Sequence, residues 1–110
     1  MEQTERSELS IELGSVALHD LRAVAAVAAA RHFGRAAAGL GIAQPTLTAR
    51  VQKVERVLGV ALFERGAGPF VVTAEGERVL PRVREVVEAG VRMAAAARPA
   101  AGRSPLRVGV

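Results

Sequence analysis

From Leu18 onward the apolar positions keep helical time. Leu18, Leu21, Val24, Ala25 and Ala28 recur at i, i+3 and i+4 spacing and share one face. This first helix is expected to end near His32-Phe33-Gly34, where glycine relieves the turn. A short second helix fits Arg35 to Leu40, with Ala36, Ala37 and Leu40 inward, and Gly39 to Gly41 breaks it. The third pattern, "IAQPTLTARVQKVERVL", carries Leu47, Val51, Val54 and Leu58 on one stripe and Thr46, Thr48, Ala49, Arg50, Gln52 and Lys53 elsewhere. Pro45 falls in its first turn, where a missing N–H removes no internal bond, and Gly59 closes it.

After Gly59 the period changes. Ala61 to Arg65 and Phe70 to Thr73 are short extended segments around the turn-forming cluster Gly66-Ala67-Gly68-Pro69, a pattern that predicts a small β-hairpin. Thr73 is placed to cap a long helix over 74–97, with Glu75 and Glu77 complementing the dipole of its first turn. Leu80, Val83, Val87, Gly90, Ala94 and Ala97 form a heptad-like seam on it, with Val91 beside them, and Val79, Val86 and Met93 widen one side. So broad a stripe asks for two surfaces, its own domain and a second copy of the chain. Pro81 lies inside the pattern and is expected to bend the helix or shift its start. The order helix, helix, turn, helix, hairpin, long helix predicts a mainly α fold. It is a winged helix-turn-helix of three helices plus a small β-hairpin wing, followed by a long linker or dimerisation helix.

The chain divides accordingly. Residues 1–16 form a polar, acidic leader, expected to fray; 17–73 the winged helix-turn-helix; 74–97 the linker helix. Residues 98–110 are a hinge, "RPAAGRSP", followed by a single strand, "LRVGV", with no sheet to join. The length of 110 residues suits one small domain and an extra element. With three Phe and no Trp or Tyr, the core must be Val, Leu and Ala, which favours packed helices over an aromatic-lined pocket. The absence of cysteine excludes disulfides and thiolate metal sites. No apolar run reaches the ~18 residues of a membrane span and nothing resembles a signal peptide, so the expectation is a cytoplasmic protein without a membrane role.

Charge adds direction. Residues 1–15 hold four Glu and one Arg, for −3, so the +4 total leaves +7 on the remainder. Between residues 31 and 65 there are six Arg or Lys against two acidic residues. Such a body permits a polyanionic partner without establishing one.

The candidate motif supplies the rest. Two crossed helices need a small residue at the crossing and a glycine in the turn, and Ala37 and Gly41 provide them. Leu40, Ile42, Leu47 and Val51 follow as inward anchors in the matching register. Gln44, Thr48, Ala49 and Gln52 are left on the outer face, where a recognition helix meets the major groove. Gln44 suits bidentate pairing with adenine, and Thr48 suits a phosphate or a thymine methyl. Thr46, Arg50 and Lys53, with Arg35 on the bracing helix, flank that face within reach of phosphates. Arg50 and Lys53 would equally suit a solvated helix face.

No chemistry competes with binding. His19 and His32 have no partner at metal-ligand spacing and read as surface residues. Glu55 and Glu64 are isolated carboxylates expected to pair with nearby arginines, and the glycines of "GRAAAGLG" and "RGAGP" match no phosphate-cradling loop. An enzyme is not expected, and no cofactor or metal is implied. The other class of function open to this pattern is a winged-helix protein–protein module without a DNA role.

The combination "FGRAA", "AQPTLT", "LGVALFER" and "VTAEGE", within residues 18 to 97, closely resembles the DNA-binding domain of LysR-type transcriptional regulators. "SPLRVGV" resembles the first strand of that family's effector-binding domain, the rest of which would lie beyond Val110. The resemblance implies binding of double-stranded promoter DNA as a homodimer, a tetramer only with the full-length chain, and a small-molecule effector held by the domain beyond. It puts Gln44, Pro45, Thr46, Thr48 and Arg50 on recognition-helix positions and Arg65 on the wing arginine of "LFER". Three departures follow from the same comparison. Ala49 stands where many members carry arginine or another polar residue, and Gly68 where the wing commonly has a second arginine. Ala43 replaces a serine cap, a change that costs about 1 kcal/mol of helix stability.

Overall fold

A computed structural model describes residues 14–99. The acidic leader up to residue 13 and the end of the hinge with its strand, 100–110, lie outside the described residues. Four helices follow one another: α1 (Leu18–Ala30), α2 (Phe33–Leu40), α3 (Gln44–Leu58) and α4 (Ala74–Ala96). α1 is the centre of the fold and packs against each of the other three, while α2 also packs on α3. Its Ala23, Val24 and Val27 meet Ala36 and Ala37 of α2, Leu47, Val51 and Val54 of α3, and Leu80 and Val83 of α4 in one core. Alanine on α1 and α2 lets these helices cross closely, while Leu and Val from α3 and α4, with Leu62 and Phe63 from the segment between them, fill the remaining space.

The helix ends show local chemistry at work. α1 stops earlier than the apolar pattern predicts, at Ala30, because Arg31 adopts the left-handed conformation at φ 54°. Its N–H closes the helix on the Val27 carbonyl at 2.8 Å. A non-glycine residue there costs roughly 1–2 kcal/mol. The Arg31 side chain offsets part of this by lying over the Phe70 ring, 5.2 Å from its centroid, and reaching the Phe70 carbonyl at 3.5 Å. α2 correspondingly starts at Phe33, before the expected Arg35, because His32 Nδ1 accepts the Arg35 N–H at 3.0 Å and caps it. Gly41 (φ 69°) and Gly59 (φ 76°) end α2 and α3 in the left-handed region that favours glycine. α3 begins after Ala43, which has extended backbone and no side-chain cap, with Pro45 in the first turn.

The wing is slighter than a full hairpin. Among the described residues it forms a single antiparallel bridge, Phe63 to Val72, flanked by Glu64 N–H to Val71 O at 2.9 Å and Thr73 N–H to Leu62 O at 2.9 Å. Four residues of turn, two of them glycine, leave too short a paired length for regular strands. What fixes the wing is side-chain packing beneath it. The three phenylalanines of the chain, Phe33, Phe63 and Phe70, form a triangle with centroids 5.4 to 6.5 Å apart.

α4 opens as its sequence predicts. Thr73 Oγ1 accepts the Gly76 N–H at 2.9 Å and donates to the Ala61 carbonyl at 2.6 Å, joining the cap to the wing. The helix runs through Pro81 without interruption. Proline removes one N–H from the ladder, so the Glu77 carbonyl goes without its i+4 donor.

Candidate nucleic-acid interface

α3 carries the face that the sequence analysis isolates. Leu47, Val51 and Val54 are buried, so the helix is anchored along one side. Gln44, Pro45, Thr48, Ala49 and Gln52 line one open depression on the opposite side. Gln44, Pro45, Thr46, Ala49 and Gln52 are exposed, and Thr48 and Arg50 are half-buried. The Gln44 side chain leans toward the start of α2: a β-carbon built on Gly34 would lie 3.4 Å from Gln44 Oε1 and 3.0 Å from the His32 ring. The tighter of these contacts is with the His32 ring that caps α2, so Gly34 chiefly leaves room for that cap. Arg35 is exposed on α2.

Two basic residues expected at this surface have other partners. Lys53 Nζ lies 3.4 Å from Asp20 Oδ2, a carboxylate only 2% exposed at the start of α1. Arg65 Nη2 lies 2.6 Å from Glu55 Oε1, and its guanidinium stacks over Phe33 at 5.4 Å. Glu55 does pair with an arginine, as expected of it, but it does more. Its other oxygen accepts the N–H groups of Leu62 and Phe63 at 2.7 and 3.3 Å, so one carboxylate ties α3 to the base of the wing. Arg65 is thus held at the wing root and remains partly exposed there.

Asp20 and Arg31 take part in contacts that the pattern of the chain does not reveal in full. Asp20 had a visible signal: it is the third residue of α1, where an acidic side chain reaches back to the N-cap. It does so here, accepting the Ala17 N–H at 2.9 Å, while alanine at 17 leaves the other half of that reciprocal pair unmade. Arg31 had no signal, because its role depends on a wing residue 39 positions away.

The expected dimer seam of α4 divides in two. Leu80 and Val83, 4% and 5% exposed, belong to the chain's own core, and Val87 packs half-buried against it. The crossing of α4 over α1 therefore leaves Leu80 and Val83 little surface for a partner, while Val87 stays at the edge of the core. Gly90 marks the end of this contact, since a β-carbon there would meet Leu18 Cδ2 at 2.8 Å. Past Gly90 the stripe is uncovered: Val91 is 57% exposed and Ala94 is exposed. Val86 and Met93, on its flank, are 50% and 71% exposed.

Comparison with known proteins resolves what this architecture is. Residues 18–77 match the family described as bacterial regulatory helix-turn-helix proteins, LysR family. The chain belongs to the LysR family. It is 43% identical over 95 residues to a probable hydrogen peroxide-inducible genes activator of Mycobacterium xenopi, covering 84% of this chain and 50% of that protein. It is 44% identical over 72 residues to the HTH-type transcriptional regulator IlvR of Caulobacter vibrioides, covering 66% of this chain and 24% of IlvR. The chain therefore spans half or less of the length of these relatives.

Solved structures agree on the winged helix-turn-helix. The C206 mutant of OxyR from Corynebacterium glutamicum superposes with a TM-score of 0.73 at 36% identity, over 79% of this chain and 28% of that one. The BenM DNA-binding domain in complex with the catB site 1 DNA superposes with a TM-score of 0.66 at 34% identity, over 72% of this chain and 89% of that one. This LysR-family domain thus has neighbours that are transcriptional regulators, one of them solved on DNA.

Proposed function

We propose that this LysR-family chain binds double-stranded promoter DNA sequence-specifically as a homodimer. α3 enters the major groove, the wing follows the backbone, and α4 pairs with a second copy to set half-site spacing. The observation that carries the reading is the outer face of α3. Gln44, Ala49 and Gln52 are exposed and Thr48 is half-buried beside them, on a helix whose other side is anchored by Leu47, Val51 and Val54. Gln44 reads adenine; Thr46, Thr48, Arg50 and Arg35 contact phosphates. Ala49 contributes apolar contact only. The role is recognition rather than catalysis, exercised in the cytoplasm. A small-molecule effector would bind a domain beyond this segment, and tetramers would need the full-length chain.

Dimerisation rests on the uncovered half of α4, Val86, Val91, Met93 and Ala94. It is supported by an apolar groove of about 420 Å³ between α1, α3 and α4, lined by Leu21, Val54, Leu58, Val79 and Val86. Exposed apolar surface of this kind marks an interaction site.

Competition binding to duplex DNA over a salt series tests the proposal. Affinity should fall steeply with added salt as counterions are released. A flat salt response would favour a protein–protein module instead. Gln44→Ala should relax sequence preference, and Arg50→Ala should weaken binding to all sequences alike. Equal losses on selected and scrambled duplexes for both variants would contradict that division.

A further inference from the structure

The buried charge at the start of α1 bears on how tightly the protein holds DNA of any sequence. Asp20 is 2% exposed and is the buried charged residue among those described. Its Oδ2 accepts the Ala17 N–H at 2.9 Å and faces Lys53 Nζ at 3.4 Å, while Oδ1 faces His19 Nε2 at 3.2 Å. Lys53 follows Gln52 on α3, at the edge of the DNA-facing surface, and its side chain is 37% exposed. By sequence it is a phosphate contact; by geometry it is turned toward α1.

A buried carboxylate stripped of its cation is strongly unfavourable. A lysine on exposed phosphate is hydrated and screened by salt. The two demands on Lys53 are therefore unequal, and the interior one prevails.

We propose that Asp20 withholds Lys53 from the phosphate backbone and thereby limits the protein's sequence-independent affinity for DNA without touching DNA. The inference rests on the DNA-binding reading of α3 given above. Phosphate contacts raise affinity for every sequence equally, so a lysine removed from that set lowers binding to random DNA and leaves base readout intact. The same pair fixes α3 against α1, which holds Gln44 and Thr48 at a set angle to the groove.

The test compares the parent chain with Asp20→Asn and Lys53→Gln, measuring binding to a random-sequence duplex across a salt series. In Asp20→Asn the side-chain amide oxygen still accepts the Ala17 N–H, so the first turn of α1 is kept while Lys53 is released. Binding should tighten several-fold, and the slope of log K against log salt should steepen by roughly 0.9, one phosphate's worth. Lys53→Gln keeps a hydrogen-bond donor toward Asp20 and should leave the slope unchanged. A slope made shallower by roughly 0.9 in Lys53→Gln would show that the lysine already sits on a phosphate and would overturn the inference. That measurement also decides the matter if Asp20→Asn does not fold. An unaltered slope in a folded Asp20→Asn would overturn it as well. If the parent chain itself shows no salt-dependent binding, the DNA reading falls, a result separable from both of these.

Discussion

Glu55 shows how much one side chain can hold. At 12% exposure it accepts two backbone N–H groups of the wing base and pairs with Arg65. Glu55→Ala leaves the Leu62 and Phe63 donors without an acceptor, so a loss of about 1–3 kcal/mol in urea unfolding is expected. A loss below experimental error would mean that water replaces the carboxylate. The sequence marks Glu55 as an arginine's partner, because an isolated carboxylate in a basic stretch has few alternatives. It gives no sign of the main-chain bonds, since these depend on how the turn after Gly59 brings the chain back past α3. Arg31, and Asp20 in its contact with Lys53, make the same point: the long-range partner of a charged residue is set by tertiary proximity, not by spacing.

At the scale of elements, the helix boundaries test the capping logic. Ala43 has the extended backbone of an N-cap, φ −70° and ψ 146°, with no side-chain acceptor. Ala43→Ser should supply one to the first turn of α3 and raise stability by about 0.5–1 kcal/mol, read as a higher melting temperature. An unchanged melting temperature would indicate that Pro45 already satisfies this end. The first turn of α4 is equally specific. A β-carbon on Gly76 would collide with the Leu62 carbonyl oxygen and approach Val72 Cγ1 to 2.7 Å. Gly76→Ala should therefore push α4 away from the wing and cost about 1–3 kcal/mol in denaturant titrations. The α3 and α4 boundaries were legible because their signals are local: Pro45, Gly59, Thr73. The end of α1 was not, because a left-handed arginine is stabilised by contacts from the wing.

For the whole molecule, the division of α4 separates folding from the proposed dimerisation. Leu80 and Val83 complete the protomer's core, whereas Val91 and Met93 project beyond it. Val91→Glu should shift sedimentation from dimer toward monomer while leaving protomer unfolding within about 0.5 kcal/mol, as expected of a surface change. Val87→Glu, on the boundary of the core, should damage both. A dimer that persists in Val91→Glu would place the interface elsewhere, with the apolar groove between α1, α3 and α4 the next surface to alter.

By itself the sequence determined the element order, the anchored stripe of α3 and the outer face left for a ligand. These follow from periodicity, proline and glycine placement and capping chemistry, all of which act over a few residues. Only the tertiary structure decided which charges remain free at that face and which half of α4 remains uncovered. Lys53 and Arg65 are engaged by Asp20 and Glu55, and the first half of the seam is covered by α1. The physical reason is the same in each case. A charge or an apolar face takes whichever partner the packed helices bring within a few ångströms, and linear spacing carries no record of that distance.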